Sequence, residues 1–151
     1  MAVSALASGL FAWTRAVTVA IENRDQLRRQ LGLVSDLGYA DLSKANVSDV
    51  YLRGRRLSGI KLSRGKFHHG DFADAEMVDA RLTGGDFCRS TFDRADLTGA
   101  GLYRADLSEC RLREVTLYKA SLSGAKLRKA DLTDADPVSY THLTLPTNRE
   151  V

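Results

Sequence analysis

Residues 95–112 read ADLTGAGLYRADLSECRL, in which a leucine recurs at every fifth position. The same spacing extends outward in both directions. It covers nineteen consecutive positions from Leu42 to Leu132, each of which carries a large apolar residue. Two residues before most of these positions stands a small residue, such as Gly85 or Ala95. A repeat of this regularity indicates a solenoid built from one small unit, whatever the local propensities favour.

A period of five fits neither an α-helix, with 3.6 residues per turn, nor a β-strand, with an alternation of two. It fits a chain that turns a corner after every fifth residue and points one large and one small residue inward from each side. Four sides close a square coil, so residues twenty apart stack on neighbouring coils. The repeats then form about five coils and a rod about 24 Å long, at the spacing of paired strands.

The repeated Ala-Asp-Leu resembles the A(D/N)LXX motif of the pentapeptide-repeat family; it occurs at 40–42, 95–97, 105–107 and 130–132. The resemblance covers residues 40–136, about two thirds of the chain. It implies an all-β solenoid, a right-handed quadrilateral β-helix, in a bacterial protein. Because the family is functionally broad, the fold does not imply one activity. The motif aspartates are expected to bind the local backbone at the corners rather than act as acids; they are Asp41, Asp96, Asp106 and Asp131.

The core is expected to be filled by side chains rather than hollow, because large residues point inward from all four sides. Phe67 and Phe87 should stack in one column, and Phe72 and Phe92 in the next. One repeat departs from the pattern, because Arg55 occupies a small-residue position. A buried unpaired guanidinium is costly, so either the first coil is distorted or Arg55 extends toward the open end of the rod.

Residues 1–36 form a different unit, in which apolar residues follow a heptad pattern from Val3 to Leu31. This pattern predicts an amphipathic N-terminal α-helix that ends near Gly32. Three roles are compatible with it. The helix covers the first coil, pairs with a second copy as a coiled coil in a homodimer, or contacts a membrane. The membrane alternative uses residues 2–21, which are long enough to span a bilayer but carry a costly charge at Arg15.

The repeat unit is expected to occupy residues 37–136 and a non-repeat tail residues 137–151. Pro137 stands where the next leucine belongs, and the tail has no period. The tail looks like translated adaptor sequence, which predicts that it is not native and that the chain is a fragment of a longer repeat protein. The alternative is a genuine flexible tail, since proline ends strand pairing.

Charge and cysteine content limit the function. Residues 40–136 hold seventeen Lys and Arg against fifteen Asp and Glu. This balance disfavours the DNA mimicry by which some family members bind type II topoisomerases, since mimicry needs a strongly acidic surface. Two cysteines cannot define a disulfide framework, and no cleavable signal peptide is visible. A cytoplasmic location is expected, at the inner face of the membrane if the helix is an anchor.

Sorting charges by side predicts a rod that is polarised across its width. The side with Leu42 and Leu102 carries a single acid, Asp41, and five cations, which are Lys44, Lys61, Arg64, Arg81 and Arg104. This basic face is the candidate surface for an acidic protein partner, a nucleic-acid backbone or anionic lipid, and Tyr103 adds an aromatic contact. The alternative is that these cations lie on an ordinary solvent-exposed face that binds no partner. The opposite side, with Leu52 and Leu112, is net acidic, as is the side with Leu57. No nucleic-acid-reading motif is present, so specific nucleic-acid binding is not expected.

The sequence gives little indication of catalytic activity. By stacking, Asp49, His68, His69 and Cys88 fall on one wall, where they could form a crude nucleophile or metal cluster. That wall is convex, and the sequence has no phosphate loop or nucleotide fingerprint. We therefore expect a non-enzymatic scaffold with no catalytic residues, cofactor or metal.

Overall fold

The computed structural model describes residues 24–136, which form one helix and a four-sided ladder. Helix α1 spans Arg24–Leu33. The remainder is built from parallel bridges that join residues twenty apart, from Asp36 with Arg56 to Arg111 with Asp131. The expected twenty-residue coil is therefore observed.

Each side is named after the first of its central apolar residues from Leu42 onward. The Leu42 side also contains Leu62, Leu82, Leu102 and Leu122; the Val47 side Phe67, Phe87, Leu107 and Leu127; the Leu52 side Phe72, Phe92, Leu112 and Leu132; the Leu57 side Leu37, Met77, Leu97 and Leu117. The Leu42 side lies opposite the Leu52 side and next to the Leu57 side.

Backbone hydrogen bonds between neighbouring coils hold the sides in register. On the Leu52 side, the N–H of Leu52 donates to the carbonyl of Asp71 at 2.7 Å. The N–H of Asp71 donates back to the carbonyl of Val50 at 2.8 Å. The same pattern recurs on every side, so most backbone amides of the inner coils are hydrogen-bonded without long strands.

Each corner is a tight turn with one left-handed residue. The N–H of Ala95 donates to the carbonyl of Phe92 at 3.0 Å, and Arg94 between them has a φ of 56°. A positive φ at the third residue is the mark of a type II turn, where glycine is usual. Yet fifteen of the twenty corner residues are not glycine, and many are Arg, Lys, Asp or Glu.

The core runs along the axis of the rod and confirms the inward assignment of the five-residue pattern. The central apolar residues from Leu42 to Leu122 are buried, and Leu127 and Leu132 in the last described coil are partly buried. The rings of Phe67 and Phe87 stack with centroids 5.4 Å apart. Those of Phe72 and Phe92 stack at 4.8 Å, and the two columns meet edge to face.

The size of the small inward residue follows the size of the large residue that comes two positions later. Gly65, Gly70 and Gly85 precede phenylalanines, whereas alanine precedes most of the leucines. A Cβ at Gly85 would lie 2.5 Å from Cε2 of Phe87. The glycine therefore provides the volume that the ring occupies.

The motif aspartates bind the backbone at the corners, as predicted. Oδ1 of Asp41 accepts from the N–H of Ser43 at 3.0 Å, and Oδ1 of Asp96 accepts from the N–H of Thr98 at 2.9 Å. Asp106 and Asp131 make the equivalent bonds. These carboxylates therefore stabilise turns.

Arg55 extends toward the N-terminal end of the rod rather than distorting the coil. Its Nη2 donates to the carbonyl of Gly32 at 2.8 Å, at the C-terminal end of α1. A cation there is favourable, because it neutralises unpaired helix carbonyls and the negative end of the helix dipole. Leu31 is fully buried in the same core, so the end of α1 is fastened to the first coil.

Helix α1 ends at Leu33, one residue beyond the predicted end near Gly32. Its contacts are those of a cap on the first coil. The remainder of the predicted helix, including the candidate membrane segment 2–21, lies outside the described residues, as does the tail 137–151. Between residues 24 and 136, no helix is long and apolar enough to cross a membrane.

Candidate docking surface

The Leu42 side brings the five predicted cations onto one straight surface, in two rows. Lys61 and Arg81 are bridge partners on adjacent coils and lie in the row that begins with Asp41. Lys44, Arg64 and Arg104 are left-handed corner residues, with φ between 54° and 63°. The row between them consists of Ser43, Ser63, Thr83, Tyr103 and Ser123.

Most of these cations have no carboxylate partner. Nζ of Lys61 lies 3.6 Å from Oδ2 of Asp41. Burial alone would raise the pKa of Asp41, but hydrogen bonds from Ser43, together with the smaller effect of Lys61, lower it below its usual value. Among residues 24–136, no Asp or Glu oxygen lies within 4.0 Å of the charged nitrogens of the other four, which are Lys44, Arg64, Arg81 and Arg104. Their charge is available to an external partner.

Two long corner side chains of this surface, Arg64 and Arg104, lie along the rod over glycines of the next coil. A Cβ at Gly84 would lie 3.7 Å from Cγ of Arg64, and one at Gly124 would lie 3.3 Å from Cγ of Arg104. The guanidinium of Arg104 also stacks on the ring of Tyr103, 4.9 Å from its centroid. In the row between the cations, Ser43, Ser63, Thr83 and Ser123 are short, and Tyr103 is the large side chain.

The opposite Leu52 side is net acidic, as predicted, but its arginines are used internally. Nε of Arg53 lies 3.0 Å from Oδ2 of Asp71, and Arg94 binds both oxygens of Asp74 at 2.7 and 2.9 Å. The hydrogen bond from Arg94 holds the pKa of Asp74 below its usual value.

Further along this side, Arg113 binds Asp131 at 2.6 Å, and Arg111 pairs with the buried Asp93. Hydrogen bonds from Thr133 and Arg113 lower the pKa of Asp131 to about 2. Four arginines on the Leu52 side therefore have a carboxylate partner, in contrast to those on the Leu42 side, and the fifth, Arg55, donates to the carbonyl of Gly32.

The Val47 side does not assemble the suggested nucleophile or metal cluster. Nε2 of His68 lies 2.6 Å from Oδ2 of Asp86, and Nδ1 of His69 lies 3.6 Å from Oδ1 of Asp49. Within residues 24–136, no three His, Cys, Asp or Glu side chains are placed to hold a metal ion.

The Cys88 thiol is poorly suited to nucleophilic chemistry. Burial and the neighbouring carboxylates of Asp86 and Asp106 raise its pKa to about 12. A reactive cysteine needs the opposite shift, since the thiolate is the nucleophile. Cys110 is a buried core residue whose thiol donates to the carbonyl of Phe87.

The number of charges on each side of the rod predicts the basic face, but it does not show which of these charges form ion pairs. Of the five cations on the Leu42 side, Lys61 is the one with an ion pair in the described region. The sequence alone does not distinguish it from the other four. The position of Arg64 and Arg104 along the rod depends on glycines at the next corners, Gly84 and Gly124. That signal was present in the sequence.

The ladder defines a four-sided β-solenoid with one basic, ion-pair-poor side. A family model described as pentapeptide repeats matches residues 75–113 and 95–134. This match identifies residues 75–134 as pentapeptide repeats, the repeats of proteins that fold as right-handed quadrilateral β-helices. No curated protein matches the chain.

Solved structures of pentapeptide-repeat proteins resemble the chain. HetL of Nostoc sp. strain PCC 7120, involved in heterocyst differentiation regulation, is 25% identical over 64% of this chain and 48% of its own, with a TM-score of 0.36. A second Nostoc PCC 7120 protein is 26% identical over 71% of this chain and 74% of its own, with a TM-score of 0.40. QnrB1, a plasmid-mediated fluoroquinolone resistance protein, is 17% identical over 66% and 64%, with a TM-score of 0.33. The chain thus spans about half the length of HetL.

Proposed function

We propose that the chain is a non-enzymatic interaction scaffold whose Leu42 side docks against an acidic surface of a partner protein. The observation that supports this is the contrast in ion pairing between opposite sides. The Leu52 side satisfies its arginines internally, whereas Lys44, Arg64, Arg81 and Arg104 have no carboxylate partner in the described region. Unpaired cations on a rigid surface favour an anionic partner at little cost in ordering.

The rod is suited to presentation rather than chemistry. Its interior is filled by apolar side chains, and the outward residues of the Leu42 side are positioned by a continuous backbone ladder. Exposed cations on such a face contribute modestly and are screened by salt, so binding should weaken as ionic strength rises. A membrane contact through residues 2–21 and a homodimer through the N-terminal helix stay predictions.

Two triple variants test the proposal with equal changes in net charge. One reverses the basic side (Arg64→Glu, Arg81→Glu, Arg104→Glu). The matched control reverses Lys66, Arg128 and Lys129 to Glu; these exposed residues have no carboxylate partner in the described region and lie on the Val47 side. The partner is first captured with a photo-crosslinking residue at Thr83, and its Kd is then measured for all three proteins.

Loss of three favourable charge contacts should weaken binding about tenfold or more in the basic-side variant. The control should stay within about twofold of the unaltered protein. Equal weakening by both variants would show that net charge, and not the Leu42 side, determines binding. Unchanged binding in both would remove the docking role altogether.

A further inference from the structure

The Leu57 side carries carboxylates that lack cations, which makes it the counterpart of the Leu42 side. Glu76 accepts a hydrogen bond from Oγ of Ser58 at 3.1 Å, and Asp96 accepts one from the N–H of Thr98 at 2.9 Å. In the described region, no Lys or Arg nitrogen lies within 4.0 Å of the carboxylates of Glu76, Asp79 or Asp96. Two cations, Arg56 and Lys119, share this side without pairing with them.

On the Leu57 side, too, corner side chains lie over glycines of the next coil. The ring of Tyr39 covers Gly59, where a Cβ would lie 2.5 Å from Cδ1 of the ring. The carboxylate of Asp79 covers Gly99 in the same way. Both sides therefore present charged groups that lie along the rod above small residues.

The two sides share one axial spacing, because both are parts of the same ladder. Outward residues on either side repeat once per coil, at about 4.8 Å. Two rods placed side by side can therefore keep cations near carboxylates over several coils, which a partner without this spacing would not do. This common spacing adds a geometric match to the charge complementarity.

We propose that the Leu42 side of one copy docks on the Leu57 side of a second copy. This inference rests on the proposed function, because it uses the same basic surface and names a second copy of this chain as its acidic partner. The two sides are adjacent on each rod and different from one another, so the contact is heterologous. A pair joined in this way keeps one basic side and one acidic side free, so further copies can bind to it through the same contact.

A charge swap tests the contact on the full chain. One variant carries Arg64→Glu and Arg81→Glu, and the other carries Glu76→Lys and Asp79→Lys. Weight-average mass is measured by sedimentation at about 10 mM ionic strength, where the Debye length is about 30 Å, and at about 1 M, where it is about 3 Å. Any association through the apolar N-terminal segment would not be weakened by salt, so the low-salt increase in mass is the quantity of interest.

The unaltered chain should gain mass at low salt, and each variant alone should not, because its altered side no longer carries a net charge opposite to that of its other side. An equimolar mixture of the variants should regain the increase, since each supplies the side that the other needs. A mixture that behaves like its separate components, or a variant that still gains mass alone, would overturn the proposal. If the mixture fails while the basic-side triple variant still loses its crosslinked partner, self-association is wrong and the docking function stands.

Discussion

Replacing Phe87 with alanine should lower the free energy of unfolding by about 3–5 kcal/mol, as expected for truncation of a buried aromatic residue. Phe87 is fully buried and stacks on Phe67 at 5.4 Å. It also meets Phe72 and Phe92 edge to face at 6.0 and 5.8 Å. The ladder on all four sides fixes the coil spacing, so neighbouring coils cannot collapse into the cavity.

Urea unfolding measures this loss, and Tyr118→Ala is the control. Tyr118 is an aromatic residue on the outside of the rod, 46% exposed, so its truncation should cost less than about 1 kcal/mol. Equal urea midpoints for the Phe87→Ala variant and the unaltered protein would mean that Phe87 does not point into the core.

Adding a single methyl group at Gly85 should also destabilise the rod, by about 1–3 kcal/mol, because the core there is already full. The new Cβ would lie 2.5 Å from Cε2 of Phe87, whose ring is held between neighbouring rings. Ser90, in the equivalent position before Phe92, carries a Cβ, so the ring can shift at a cost rather than prevent folding. Gly101→Ala is the matched control, since its Cβ would meet nothing closer than 3.7 Å.

The double variant Gly85→Ala, Phe87→Leu gives the sharper result. It recreates the alanine–leucine pair that eight of the nineteen repeats contain, so the two substitutions should compensate. We expect a coupling free energy of about 1–3 kcal/mol from the double-mutant cycle in urea. Strictly additive losses would show that the glycine and the ring do not share one volume.

The spacing of the sequence was sufficient to predict the coil. A large residue at every fifth position, from Leu42 onward, identified the inward positions, the stacking of residues twenty apart and the two phenylalanine columns. The roles of Asp41 and Asp96 at the corners were also predictable, because a short carboxylate beside a turn can reach its backbone. These features depend on the period and on local chemistry.

The corner conformation could not be predicted in the same way. Local propensity argues against a positive φ at Arg64, Arg94 or Glu114, since such residues avoid the left-handed region. The ladder and the packed core impose that conformation at every corner. Local preference is overruled there by contacts between residues twenty positions apart.

The ion-pair partners of the long side chains could not be predicted from the five-residue pattern either. Arg53 pairs with Asp71 and Arg113 with Asp131, both eighteen positions apart, whereas Arg94 pairs with Asp74 at twenty. Whether an arginine pairs with a carboxylate eighteen or twenty positions away depends on side-chain rotamers. The assignment of charges to sides does not determine this choice. The contact of Arg55 with Gly32 depends on where α1 meets the first coil, which the repeat does not specify.

The distance between the two ends of the Leu42 side tests the account most directly, because the docking surface exists only if residues twenty apart stack. Spin labels at cysteines replacing Ser43 and Ser123, in a Cys88→Ser, Cys110→Ala background, report it by pulsed electron paramagnetic resonance. Four coils should separate the labels by about 19 Å with a narrow distribution. A broad distribution, or one centred beyond about 30 Å, would contradict the four-sided coil and with it the surface.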